Sequence, residues 1–391
     1  MSSTLQKTIS RTFIDYFQQH GHIPTTGSTL IPRLGDPVLF TTSGMHPLTP
    51  YLEGEPHPMG RRLVGIQRCL RTTDLDEVGD PTHLTVFEML GSWSLGDYGS
   101  SQTLRWGYEL LTEGFGIDPS RLYVTVFGGD TQVPLDQESL RTWQELGLPI
   151  ELTTEDNWWS NGPTGPCGPD SEMFVWTGDG EPEGTPTTDD RWVEIWNHVM
   201  MRYRRHDDGS LETLRQQNID TGLGLERLTM LLEGKDSVYE TSLFEPWMRE
   251  TPKLWKLSTE EQRIVIDHLR SSIVIVGDGV HPSNTGRGYV LRRLIRRVLT
   301  LLWSGDDSSS LSDLPLELFE HTLNHFHQGE SVTLVRRILI DEEIRFSNLL
   351  DRGRKILSHE RFHKSLDETD YEYLHETHGL PRELVAILKE N

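Results

Sequence analysis

Apolar residues recur at every fourth position near the start of the chain: Leu5, Ile9, Phe13 and Phe17. That period puts them on one helical face, so residues 4–20 are predicted to form an amphipathic helix that stops at Gly21. Residues 22–130 are patterned differently. Short apolar runs (TLIP, VLFTT, LYVTVF) alternate with Gly, Pro and Asp turns, and one helical stretch, 101–114, interrupts them. The pattern predicts an antiparallel sheet with flanking helices, an α+β arrangement. Within it, Leu63–Leu70 and Leu84–Leu90 read as the strands of a hairpin whose connection, TTDLDEVGDPT, is rich in acids and turn residues. The run VEIWNHVM at 193–200 reads as a further strand. Strict alternation puts Val193, Ile195, Asn197 and Val199 on one face and Glu194, Trp196 and His198 on the other.

From about residue 258 the period turns helical and stays so. Helices are predicted at 258–276, 287–303, 314–328, 331–358 and 382–389, with the polar stretch SGDDSSSLSD linking two of them. The acidic segment GDGEPEGTPTTDD at 178–190 reads as a surface loop. The expected organisation is therefore a mixed α/β domain over residues 1–250 and an all-helical domain over 251–391.

Composition narrows the class. Hydrophobic residues make up 35% and charged residues 25%, as in ordinary globular proteins. No apolar run approaches the roughly 18 residues of a membrane helix, and MSSTLQKTISRTF lacks an apolar signal core. Cys69 and Cys167 are the two cysteines, too few for a disulfide framework or a Cys-rich zinc site, so a cytoplasmic protein without zinc is expected. HTLNHFH at 321–327 spaces three histidines without a cysteine and reads as helix surface. A net charge of −23 excludes nucleic-acid binding by bulk charge, so any RNA must be held by a local basic patch. One exists: Arg292, Arg293, Arg296 and Arg297 follow an i, i+1, i+4, i+5 pattern and are expected to share a helix face for phosphate.

Four segments carry candidate chemistry. QRCLR at 67–71 puts Arg71 at a strand end, where its planar fork can grip a phosphate and a carboxylate together. HLTVFEMLG at 83–91 puts His83, Phe87 and Glu88 on the neighbouring strand, with an aromatic able to stack on a purine. NWWSNGPTGPCGPDSE at 157–172, dense in Gly and Pro after paired tryptophans, reads as a rigid loop rather than a central strand. NIDTGLGLERLTMLL at 218–232 offers Asp220 for an ammonium, glycines for close approach of a ligand, and Arg227 for a phosphate at a helix start. Its GLG lacks the third glycine and βαβ setting of a dinucleotide site.

Taken in order, these segments resemble the class II aminoacyl-tRNA synthetases. STLIP with DPVLFTTSGM resembles their motif 1, QRCLR with HLTVFEMLGSWSLGDY motif 2, and DTGLGLER motif 3. TGPCGP, EIWN, DHLRSSIVIVGDGVHPSNTGRGYVLRRLIRR and YLHETHGLP resemble strings of the alanine–tRNA ligases in particular, so the likeness covers nearly the whole chain.

The resemblance implies ATP-dependent activation of alanine and its transfer to tRNA-Ala, with Mg²⁺. It implies Arg71 on the α-phosphate and the amino-acid carboxylate, His83 near the outer phosphates, Phe87 stacked on adenine, and Arg227 on the γ-phosphate. Glu88 and Glu194 become nucleotide contacts, Glu194 also a Mg²⁺ contact. Trp159, Asn197, Val199 and Gly222 line a pocket for one methyl group, and Asp220 pairs with the ammonium. Asn284 and Glu376 fall where the family reads a G·U pair in the acceptor stem; Glu376 stands where the family usually has Asp. The sequence ends at Asn391, before the editing and dimerising regions of typical members. Read as it stands, it predicts a monomer without intrinsic editing, mischarging with serine or glycine, and a separate deacylase as partner. Two other readings stay open: a paralogue or split subunit that activates a small amino acid for another acceptor, and a non-catalytic tRNA-binding protein.

Overall fold

The computed structural model describes residues 3–33, 38–160, 162–306, 308–363, 366–378, 380 and 382–390. Its contacts divide the chain into two units, one of residues 1–253 with 258–267, the other of 254–257 with 268–391.

The first unit is built on a nine-stranded sheet. In chain order its strands are β1 (Ile23–Thr25), β2 (Arg62–Leu70), β3 (Val86–Leu95), β4 (Leu122–Phe127), β5 (Ile150–Thr153), β6 (Trp158–Ser160), β7 (Gly165–Trp176), β8 (Trp192–Arg205) and β9 (Leu211–Gly224). The spatial order is β1-β2-β3-β9-β8-β7-β4-β5, with β6 paired to β7. The centre is antiparallel as expected, but the outer strands β1 and β5 run parallel to β2 and β4. Helices α1 (Ser3–Gln19), α2 (Thr49–Leu52), α3 (Ser100–Glu109), α4 (Gln137–Leu146), α5 (Leu225–Leu232) and α6 (Glu245–Leu254) belong to this unit.

The period-four stripe of α1 does what its spacing predicts. Ile9, Phe13 and Phe17 are fully buried, and Phe13 packs 5.7 Å from the ring of Trp196 on β8. Each such side chain contributes roughly 1.5–3 kcal/mol by leaving water. They join Val64, Leu90, Ile219, Leu223, Leu225 and Leu228 in one core. A smaller cluster of Met45, Leu48, Leu52, Leu63, Trp93, Val199 and Met201 packs elsewhere on the same strands. Val64 and Leu63, adjacent on β2, fall in different clusters because successive side chains of a strand point to opposite faces. One face of the central sheet is thus committed to the α1 core, and the other is available for a site.

Two sequence readings are corrected here. TGPCGP is not a loop: Gly165–Trp176 is a strand paired with β4, β6 and β8. The prolines are accommodated by a shift in register between Cys167 and Asp170, a bulge of the kind where a missing N–H does least damage. Gly168 is required there, because a Cβ would come within 1.9 Å of the Met200 carbonyl oxygen. The strict alternation assumed for β8 also fails. A second register shift, between Met173 and Phe174, brings Glu194 to the same side as Asn197 and Val199, since all three line one cavity.

In the second unit the predicted helices form as α8 (Gly286–Gly305), α9 (Leu316–His325), α10 (Val332–Leu357) and α12 (Arg382–Glu390). They are joined by α11 (Glu368–His378), which lacked a clear apolar period. Helix α7 (Thr259–Gly277) precedes them, its residues divided between the two units. No helix among the described residues is long and apolar enough to cross a membrane.

Candidate active site

The free face of the sheet holds a cavity of about 490 Å³, lined entirely by residues of the first unit. Ten of the eleven residues expected at the ATP and alanine sites line it: Arg71, His83, Phe87, Trp159, Glu194, Asn197, Val199, Asp220, Gly222 and Arg227. Glu88 does not. On β3 it alternates with Phe87 and Met89, which face the cavity, and its backbone N–H donates to both carboxylate oxygens of Glu226 at 3.1 Å. The structure thus places Glu88 outside the cavity wall. Glu226, not anticipated from sequence, lines the cavity instead.

Arg71 follows the last residue of β2. Its backbone N–H donates to the Thr85 carbonyl at 3.1 Å, its Nε donates to Thr42 O at 3.3 Å, and its guanidinium lies 5.2 Å over the Phe87 ring. The stacked aromatic limits the rotamers of the arginine, so the fork arrives oriented. His83 is bracketed by two acids: Nδ1 lies 2.5 Å from Asp80 and Nε2 3.1 Å from Glu77. The hydrogen bond to Asp80 raises its pKa and favours the cationic ring. Arg227, in the first turn of α5, donates from Nη1 to Glu194 Oε2 at 2.8 Å and to its carbonyl at 2.9 Å.

Asp220 is held by a tryptophan that sequence reasoning missed. Trp93, its partner across β3 and β9, donates from Nε1 to Asp220 Oδ1 at 2.7 Å. The indole fits because Gly91 leaves room; a Cβ there would stand 2.2 Å from the ring. The signal lay in GSW, since a small residue two before a large one on a strand often marks a slot for the second. Burial pushes the Asp220 carboxyl up to about 7, against the Trp93 hydrogen bond and the Arg71 charge, both of which lower it.

Further acids face the same cavity: Asp156, Asp170 and Glu172. Burial raises Glu172 well above its ordinary range, and Glu194 and Asp170 raise it further. Thr85, next to the Arg71 anchor, is itself pinned from α7: its N–H and hydroxyl both donate to the buried carboxylate of Asp267, at 2.8 and 2.5 Å. None of these four acids carried a legible signal, because each matters only for what lies across the fold from it.

The expected RNA-facing residues lie in the second unit. Leu291, Leu294, Ile295 and Val298 bury one side of α8, as predicted. The arginines do not present one common face to solvent. Arg292 and Arg296 turn to Glu342 of α10, which is wholly buried: Arg292 Nε lies 3.0 Å and Arg296 Nη2 2.8 Å from Oε1. Arg293 is exposed and Arg297 half-buried. Arg292 also donates to the side-chain oxygen of Asn284, which is exposed. The fork of Arg292 reaches both partners, so the cluster is split by an acid that the helical pattern placed forty-six positions away from Arg296. Glu376 lies on α11, with its side chain outside the described residues.

Residues 8–391 match the sequence family described as tRNA synthetases class II (A). The chain is 41% identical, over 96% of its length, to the alanine–tRNA ligase of Treponema pallidum, and covers 67% of that protein. It is 45% identical over 73% of its length to the enzyme of Treponema denticola, covering 51% of it. With the alanine–tRNA ligase of Rubrobacter xylanophilus the identity is 38% over 96% of the chain, which covers 46% of that protein. The chain belongs to the alanine–tRNA ligase family of class II tRNA synthetases. It spans between about half and two thirds of the length of these curated relatives. Membership accounts for the α+β architecture and for the gathering of Arg71, Asp220 and Arg227 from two separate sequence motifs around one cavity.

Proposed function

We propose that this protein activates alanine with ATP to alanyl-adenylate and transfers the alanyl group to the 3′ end of tRNA-Ala. The observation that carries the reading is the composition of the single cavity wall described above. It combines two arginines and a histidine suited to phosphates, an aromatic suited to a purine, and a buried carboxylate beside Asn197, Val199 and Gly222, a space suited to a small amino acid.

In the first step an alanine carboxylate oxygen bonds to the α-phosphorus as the bond to the pyrophosphate oxygen breaks. Charge develops on phosphoryl oxygens, so catalysis rests on positioning and on fixed cations. Arg71 holds the two reacting groups together, and Arg227 and His83 hold the outer phosphates. Asp220 fixes the ammonium, and Phe87 offers a face to the base. In the second step a terminal ribose hydroxyl attacks the anhydride carbonyl carbon, the bond from that carbon to the phosphate oxygen breaks, and AMP leaves with the hydroxyl proton passing to its phosphate.

The cavity also suits Mg²⁺. Burial and then the neighbouring Glu194 and Asp170 raise the Glu172 carboxyl, so acids crowd together here, and Mg²⁺ binds through one or two carboxylates plus substrate phosphates. Glu194 is the residue proposed to hold it, with Glu172 nearby; bound there, it would neutralise charge on the phosphates.

The test is alanine-dependent ATP–pyrophosphate exchange by the purified protein. Charging of a tRNA-Ala transcript should then be compared with a variant whose acceptor-stem G·U pair is made Watson–Crick. Exchange with charging of the first transcript alone supports the proposal, with Asn284 and Glu376 as readers of the pair. Exchange without charging of either would favour another acceptor or a missing subunit, and no exchange would sink it.

The same assay carries a pH prediction. Asp220 must be ionised to pair with an ammonium, and its pKa in the free protein is about 7. Below that pH, kcat/KM for alanine is expected to fall about tenfold per unit. Trp93→Phe removes a hydrogen bond that lowers this pKa, so the fall should begin at higher pH. A profile that does not move in Trp93→Phe would show that another group governs it.

A further inference from the structure

A buried polar network runs from the sheet interior to the cavity wall and ends at Asn197. Asp170, only 2% exposed, sits just past the bulge in β7. Its Oδ1 accepts from Asn157 Nδ2 at 2.9 Å and its Oδ2 from Asn197 Nδ2 at 3.1 Å. Asn157, fully buried, is fixed in turn: Nδ2 also donates to Thr125 Oγ1 at 2.8 Å, and its Oδ1 accepts from Thr153 Oγ1 at 2.6 Å. Asn197 Nδ2 has a second, longer contact with Glu172 Oε1 at 3.4 Å. The side-chain oxygen of Asn197 is buried and accepts from no group among the described residues.

The edge of Asn197 that meets Asp170 Oδ2 and Glu172 Oε1 is the amino group, and both carboxyl oxygens accept from it. Its oxygen is thereby left over, in a residue that lines the cavity one strand away from Asp220 and Gly222. An acceptor left without a donor in a buried site costs free energy until a donor arrives. A network this deep, satisfied at every atom but the Asn197 oxygen, holds one rotamer of the residue at its end.

We propose that Asp170 is the positioning residue of the amino-acid subsite: it holds the Asn197 carboxamide with its amino edge turned into the sheet and its oxygen kept as an acceptor for the ammonium of the substrate. This rests on the functional reading above. Asp220 supplies the charge that attracts the ammonium, and Asn197 supplies a neutral acceptor whose orientation Asp170 dictates. Asp170 acts through Asn197 and makes no bond to the reacting atoms.

The substitution Asp170→Asn tests this because it changes hydrogen-bond direction with little change in shape. With Asn157 held as observed between Thr125 and Thr153, the new amide turns its oxygen to Asn157 and its amino group to Asn197. Asn197 then has to flip, offering N–H groups where the ammonium sits. In pyrophosphate exchange, KM for alanine is expected to rise roughly 10- to 100-fold, with KM for ATP within about twofold of the parent. The double variant Asp170→Asn with Asn197→Asp reverses donor and acceptor at both positions and restores an acceptor toward the cavity. It is expected to return KM for alanine to within about threefold of the parent.

Three results would overturn the inference: an unchanged KM for alanine in Asp170→Asn, equal losses for ATP and alanine, or a double variant no better than the single one. Retained affinity for ATP shows that the variants fold. If the parent protein itself shows no alanine-dependent exchange, the functional reading fails first; if it does and Asp170→Asn is indifferent, only the role of Asp170 fails.

Discussion

Arg71→Ala is expected to lower kcat/KM for alanine-dependent pyrophosphate exchange by roughly 10²–10³-fold, the loss typical when one preorganised donor to a developing charge is removed. The size follows from its position. Arg71 stands at the end of β2 with its N–H tied to Thr85 and its guanidinium braced by the Phe87 ring, so it pays little to reach its ligand geometry. Lysine keeps the charge but not the planar fork, and Arg71→Lys should recover only part of the loss. Both constants, KM for alanine and KM for ATP, should rise, since one fork is proposed to hold a phosphate and a carboxylate together. If Arg71→Ala changed KM for ATP alone, the double contact would be wrong. Asp267→Asn offers a milder version of the same effect, because Asp267 reaches the Arg71 anchor through Thr85.

Glu342→Ala is the second large effect, and it should fall on the other half of the activity. Glu342 is wholly buried between Arg292 and Arg296, both mostly buried themselves. Removing the acid leaves two like charges facing one another without their counter-ion, and losing one partner of a buried pair costs about 3–5 kcal/mol. The helical unit is expected to melt at a clearly lower temperature, and charging of tRNA should drop with it, because Asn284 loses the orientation it receives from Arg292. Pyrophosphate exchange should persist, since every residue lining the cavity belongs to the first unit. Glu342→Gln keeps the shape and one acceptor and should cost less. The decisive readout is exchange and charging measured on the same preparation below the melting temperature. Equal loss of both would show that Glu342 supports more than the helical unit.

Local pattern was enough for much of this protein. The period-four stripe of α1, the alternation of β2 and the helical run from Thr259 onward needed only neighbours in sequence, because a helix or strand must bury its apolar face whatever it packs against. The motif residues were legible for a related reason: Arg71, His83, Phe87, Asp220 and Arg227 are side-chain types suited to phosphates, a purine and an ammonium, and they meet at one cavity.

What could not be read locally was decided by partners far away in sequence. The prolines of TGPCGP argued against a strand, yet a bulge opposite Met200 takes up the lost hydrogen bond and aims Asp170 into the wall. A second bulge turned Glu194 to the side of Asn197, against the period of two. Alternation carried Glu88 away from the site, and Glu226, in the next motif, took its place on the wall. Trp93 and Asp220 became a pair only when β3 and β9 were brought into register. Glu342 drew two arginines out of what looked like a uniform basic face. Periodicity describes what a segment does with water, and residue type what it can bind. The direction a polar group finally points is set by donors and charges that only folding brings within 3 Å.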